Sequence, residues 1–337
     1  MLYLHHPASL RHDPRALSPD HPDDPRRLEA IENALRDARL EGLWRELAPE
    51  AAEAELALVH GERHIAFVRE LCHGGGGQVD ADTYVGAASY EAALHAAGGA
   101  CEMVRMLVAR RADTAFCAMR PAGHHADRDT AMGFCLFNNI AIAAQLAIAE
   151  LGVKRVMIID WDVHHGNGTA EIFRRRADVL VASIHQAGLF PGTGALLDAG
   201  SAEGHGYTVN LPVPPGSGAE VWLSVLEHLV VPIGLEYRPQ LVLVSAGFDA
   251  HAADPLAQCR LEAADFAQMA CHVRDLAAAL GAPVGAVLEG GYEPRALGES
   301  VVATLSALLG EGEAESAAPD EIVTPRAASH LGHRWTL

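Results

Sequence analysis

Six runs of apolar, strand-forming residues punctuate the chain. They are "LYLH" (2–5), "TAFCAM" (114–119), "RVMIID" (155–160), "VLVASIH" (179–185), "LVLVSAG" (241–247) and "PVGAVLEGG" (283–291). Between them, apolar residues recur at helical spacing over 25–47, 62–72, 89–111, 138–151, 219–236, 262–281 and 294–309. Strands that are apolar throughout are buried on both faces, and their alternation with helices predicts a parallel sheet covered on each side. The stretch "GGGG" (74–77) reads as a flexible loop tip. A folded domain is expected over 1–310, followed by a polar tail over 311–337 in which His330 and His333 are solvated.

In open parallel sheets ligands gather at the carboxyl ends of the strands, and there this chain places its polar residues. "TAFCAM" leads into "RPAGHHA" with His124 and His125, and "RVMII" into Asp160, Asp162 and His164. "LVLVSAG" is followed by Phe248 and Asp249, and "PVGAVLEGG" by Tyr292. Carboxylates and imidazoles crowded beside a buried strand are costly unless something compensates them. On a strand-like segment Asp160, Asp162 and His164 share one face. Asp162, His164 and Asp249 together offer two carboxylates and one imidazole, a set that neutralises a divalent ion and leaves zinc an open position. Asp160 is left to hold an adjacent histidine, to bind a monovalent cation, or both. Taken singly, each feature has an ordinary structural reading: a strand-to-turn cap, a packed histidine pair, a helix N-cap, a turn tyrosine. Four such accidents at four strand ends make a poor explanation.

Composition narrows the partners. With 44 acidic against 25 basic residues the net charge is −19, which argues against nucleic acid or an anionic membrane and suits a cationic substrate such as a lysine-rich peptide or polyamine. The six cysteines (72, 101, 117, 135, 259, 271) contain no C-x-x-C pair and read as reduced, mostly buried thiols. The start, "MLYLHHPASLRHD", lacks the basic and apolar regions of a signal peptide, and no apolar segment reaches the roughly 18 to 20 residues of a membrane span. A cytoplasmic protein is expected.

The motifs "RPAGHHA", "DWDVHHGNGTAEIF", "SAGFDAHAADPL" and "LEGGY" resemble those of the zinc-dependent histone deacetylases and acetylpolyamine amidohydrolases, nearest the class II branch. The likeness runs from about residue 18 ("SPDHPDDPRRL") to 309. It implies a single arginase-like α/β domain with a central eight-stranded parallel sheet and helices on both faces. It also implies hydrolysis of an N-acetylated amine, such as acetyl-lysine, to acetate and free amine.

By that resemblance Asp162, His164 and Asp249 hold zinc, or iron(II) in the cell. His125 is the general base or acid, and His124 its partner, oriented by Asp160. Tyr292 donates to the substrate carbonyl. A potassium ion is implied at Asp160, Asp162, Ser183 and main-chain oxygens including those of His164 and Ile184. Gly133, Phe134 and Phe190 line the acyl tunnel. Asn167 stands where class I members have an aspartate, as it does in class II, and a neutral amide should leave His125 less basic. Seven residues after Asp249 comes Leu256, at the implied tunnel mouth, where polyamine-selective members carry a glutamate. Leu256 therefore favours an acetylated lysine peptide or protein. The rival substrate is an acetylated polyamine or other small amide, and the rival function a non-catalytic acyl-lysine binder, disfavoured because no ligand, histidine or tyrosine is missing. A two-manganese ureohydrolase needs an Asp-x-His-x-Asp run that "DWDVHHG" does not provide.

Overall fold

The computed structural model describes every residue from Met1 to Leu337. Its strands are β1 (Leu2–His5), β2 (Trp44–Leu47), β3 (Gly76–Gln78), β4 (Tyr84–Gly86), β5 (Thr114–Cys117), β6 (Val156–Asp160), β7 (Val179–Gln186), β8 (Thr208–Val213), β9 (Leu241–Ala246) and β10 (Val284–Leu288). Eight of them form one sheet in the order β2-β1-β5-β10-β9-β6-β7-β8, with every pairing parallel. The remaining two, β3 and β4, make a small antiparallel ribbon.

Side chains alternate across the sheet into two separate cores. Met157 and Ile159 of β6, with Val242 and Val244 of β9, join one core. It is closed by the helices Arg26–Ala38, Ala263–Leu280 and Pro294–Leu308. Val156 and Ile158, with Leu241 and Leu243, join the other, under the helices Glu62–His73, Ser89–Val108 and Asn139–Ala149. This is why the inner strands read as unbroken apolar runs. No helix is long and apolar enough to cross a membrane. All six cysteines are buried and unpaired.

The structure corrects four expectations. The helix expected over 25–47 ends at Ala38, where Arg39 turns left-handed (φ 52°) and its N–H caps the carbonyl of Leu35. After Gly42, "WREL" becomes the exposed edge strand β2; its charged residues mimic a helix tail because only one edge is paired. On the opposite edge β8 was hidden by Asn210 and Pro212, and proline is tolerated on an edge strand. Of the "GGGG" stretch, Gly76 and Gly77 are paired in β3.

The fourth correction concerns 311–337, which is no solvated tail. Asp320 accepts the N–H groups of Ile322, Val323 and Thr324 and so starts the helix Val323–Leu331. Ala327, Leu331 and Trp335 enter the first core, and Trp335 Nε1 donates to the Gly206 carbonyl at 3.1 Å. His330 is half-buried and His333 exposed.

Strand order sets up the site. β5, β10, β9 and β6 are consecutive neighbours, so their carboxyl ends release four loops into one place. Asp160 at the end of β6 is in register with Ser183 on one side and Ser245 on the other.

Candidate active site

At the centre of these loops His164 Nδ1 lies 3.1 Å from Asp162 Oδ1 and 3.0 Å from Asp249 Oδ2, all three residues being buried. Their potential ligand atoms fall within 4.8 Å of one another. The other carboxylate oxygens are held by backbone: Gly290 N donates to Asp162 Oδ2 and Val163 N to Asp249 Oδ1, each at 2.8 Å. Gly290 is required for this approach, since a Cβ there would sit 2.0 Å from Asp249 Oδ2.

Deprotonated, the three groups are all acceptors aimed at one point, and they need a cation between them. The charges say the same. Burial and the neighbouring Asp162 push the Asp249 carboxyl up to about 7. Burial disfavours charge on His164, yet its bonds to Asp162 and Asp249 push the imidazole up to about 10. A proton on His164 can meet that demand, and a divalent metal meets it better by ligating both carboxylates and the imidazole at once. The donor set therefore fits the metal that the sequence leads one to expect.

Both histidines expected beside the metal are there. His124 Nδ1 meets Asp160 Oδ2 at 3.0 Å; burial opposes its charge, but Asp162, Asp160 and Glu289 hold its pKa well above the usual value. His125 Nδ1 meets Asn167 Oδ1 at 2.7 Å. Asn167 Nδ2 donates to the His125 carbonyl at 3.3 Å, which orients the amide with its oxygen toward the ring. An amide oxygen only accepts, so His125 carries its proton on Nδ1 and leaves Nε2 as a free base. Burial, then the nearby His124 and His164, hold its pKa well below the usual imidazole range. Asn167→Asp should raise it by adding a carboxylate at the same distance. The acid limb of the kcat/KM–pH profile should then move to higher pH, and an unmoved limb would separate that limb from His125.

Phe190 and Phe134 flank the centre on different sides. The Phe190 ring stands edge-on to His125 at 5.1 Å, and the Phe134 ring edge-on to Tyr292 at 5.8 Å. Phe190 is 37% exposed, so it is no core aromatic. Gly133 lies between them at φ +56°, and a Cβ there would come within 2.5 Å of His125 and 2.8 Å of Phe190. Ser183 lies beside Asp160 in the sheet, but its hydroxyl meets His185 Nδ1 at 2.9 Å. Leu256 is half-buried in the loop after β9.

Sequence reasoning missed the supports of the "EGGY" turn. Arg27, fully buried, donates to the carbonyls of Glu289 and Gly291, each at 2.5 Å, and its guanidinium lies 4.7 Å over the Tyr292 ring. Asp23 sits between Arg27 (2.7 Å) and Arg120 (2.6 Å), and its one negative charge is shared by the two guanidiniums. Asp254 accepts from Tyr292 N at 2.7 Å and from Leu256 N at 2.9 Å, tying two loops together. Glu289 accepts from the N–H groups of Gly123 and His124 and from Ser245. The i,i+4 spacing of Asp23 and Arg27 was a visible signal; the distant partners were not.

Comparison with known proteins agrees with this geometry. The histone deacetylase domain matches residues 21–308. The chain is 43% identical over 247 residues to a histone deacetylase-like amidohydrolase of Pseudomonas aeruginosa, a match spanning 73% of this chain and 65% of that protein. It is 41% identical to a probable deacetylase of Methanothermobacter thermautotrophicus over 95% of this chain and 94% of that one. It is 39% identical to a human polyamine deacetylase, over 85% of this chain and 44% of that one. The crystal structure of the HDA15 HD domain superposes with a TM-score of 0.90 at 34% identity, covering 99% of this chain and 95% of that chain. Fold, strand-end loops and relatives agree, and the chain belongs to the histone deacetylase family of amidohydrolases.

Proposed function

We propose that this protein removes the acetyl group from acetylated lysine side chains in peptides or proteins, at a divalent metal held by Asp162, His164 and Asp249. The observation that carries the reading is the pairing of a free-base His125 with a buried, convergent two-carboxylate, one-imidazole set. The metal, zinc or iron(II), supplies Lewis acidity to the amide carbonyl and acidifies a water. Neutral His125 accepts the proton of the attacking water at Nε2. The Tyr292 hydroxyl donates to the carbonyl oxygen as negative charge builds on it. His124, held positive by Asp160 and Asp162, stabilises that charge and supplies the proton the departing amine requires. Asp160, Asp162, Ser183 and the carbonyls of His164 and Ile184 are the expected potassium ligands, and that ion's charge would offset part of the carboxylate charge. Six buried thiols suit a reducing, cytoplasmic setting.

Gly133, Phe134 and Phe190 form the walls that would sheathe an apolar lysine stem. At the mouth, Leu256 offers no charge to a second ammonium. An acetylated polyamine is the competing substrate, favoured by the net charge of −19 and by the likeness to a polyamine deacetylase. Leu256→Glu should raise the ratio of polyamine to peptide turnover, because a carboxylate is added where a cationic chain passes. The test is side-by-side kcat/KM on acetyl-lysine peptides and acetylated polyamines. Wild-type preference for polyamines, or a ratio unmoved by the substitution, would remove Leu256 as gatekeeper and the lysine reading with it.

A further inference from the structure

A second group of ligating side chains lies at the β1–β2 side of the sheet, outside the centre described above. Glu50 follows β2, and Glu91 and His95 stand one turn apart on the helix Ser89–Val108. Their potential ligand atoms lie within 4.8 Å of one another. His95 is only 8% exposed. Its Nδ1 meets the Ala48 carbonyl at 2.8 Å. A carbonyl only accepts, so the ring proton is on Nδ1 and Nε2 presents a lone pair. Anchoring one ring nitrogen on a carbonyl in this way is how proteins orient a histidine that ligates through the other.

That lone pair is aimed at a carboxylate. His95 Nε2 lies 3.5 Å from Glu50 Oε1 and has no hydrogen-bond donor. Two acceptors facing each other across that gap repel unless a proton or a metal cation lies between them. Glu91, four residues before His95, brings a second carboxylate to the same point. The neighbouring His6 stacks on His95 at 3.6 Å, but its Nδ1 accepts from Ala8 N, so in its neutral form its other nitrogen donates and does not ligate. Arg11 pairs with the Glu91 carboxylate and competes for it.

We propose that Glu50, Glu91 and His95 form a second, structural metal site that takes a borderline divalent ion such as zinc, with water completing the shell. One imidazole and two carboxylates suit such an ion, and the ring nitrogen disfavours calcium or magnesium. The ion would fasten the loop after β2 to the helix Ser89–Val108, two segments of chain otherwise joined here through Ala48, Ala51 and Tyr90. It lies apart from the reacting groups, so it serves stability and leaves the chemistry to the first metal.

The test uses the full chain equilibrated with buffered free zinc, with bound zinc measured by elemental analysis and thermal stability followed in parallel. Wild type should bind a second, weaker equivalent whose occupancy raises Tm, while deacetylation of an acetyl-lysine peptide saturates with the first. Glu91→Gln and Glu50→Gln, both on partly exposed side chains, should lose the second equivalent and its Tm increment and keep full turnover. Arg11→Ala should bind the second ion more tightly, since the competitor for Glu91 is gone. With cobalt(II) in place of zinc, the absorbance of the second equivalent should vanish in Glu91→Gln. A single equivalent in wild type would overturn the site, leaving a protonated His95 paired with Glu50. So would a second equivalent that persists unchanged in both glutamine variants.

Discussion

Asp249→Ala should reduce turnover by at least about 10³-fold, since losing the Lewis acid removes several kcal/mol of transition-state stabilisation and each 1.36 kcal/mol is a decade of rate. Asp249 is the proposed ligand delivered by β9, whereas Asp162 and His164 both come from the end of β6. Without it the remaining pair cannot close around an ion, so the tight metal equivalent should be lost together with activity. Alanine also strands Val163 N, which donates to Asp249 Oδ1 at 2.8 Å. Asp249→Asn separates the two effects: its amide oxygen can still accept from Val163, but it ligates poorly. The asparagine variant should fold like wild type by near-UV circular dichroism and still lose metal and turnover. A variant that stays active without bound metal would contradict the assignment.

Tyr292→Phe should fold normally and lose about 10²–10³ in kcat, the usual cost of deleting one oxyanion donor. The ring does the packing, edge-on to Phe134 and beneath the Arg27 guanidinium, and phenylalanine keeps both contacts. The hydroxyl makes no hydrogen bond within the protein, so its removal leaves no buried partner unsatisfied. Burial, with Asp249 and Asp162 nearby, raises its pKa well above the usual value despite Arg27, which keeps it a donor through the whole neutral range. KM should change little, because the interaction strengthens only as charge develops on the substrate oxygen. Turnover near wild type would mean that Tyr292 does not act on the substrate.

The residues proposed to bind metal were legible because their positions break a rule. Asp160 ends a fully buried strand that Asp162 and His164 follow, and charges there demand a partner. Edge strands give no such signal: β2 exposes most of its side chains and β8 carries Pro212, so neither shows the unbroken apolar run of an inner strand. Residues 311–337 looked solvated because their apolar members are scattered. Burial of Leu331 and Trp335 depends on a groove built by distant elements, including the Gly206 turn. The Arg27–Asp23–Arg120 group was unreadable for a related reason. Arg27 acts on carbonyls 262 and 264 residues away, and backbone acceptors leave no mark in a sequence.

The most direct test of the account is metal-dependent acetate release. Protein stripped of metal should be inert toward an acetyl-lysine peptide. Stepwise addition of zinc should restore turnover in proportion to occupancy of the tight site, levelling off when that site is full. Peptide turnover that is equal with and without metal would contradict it.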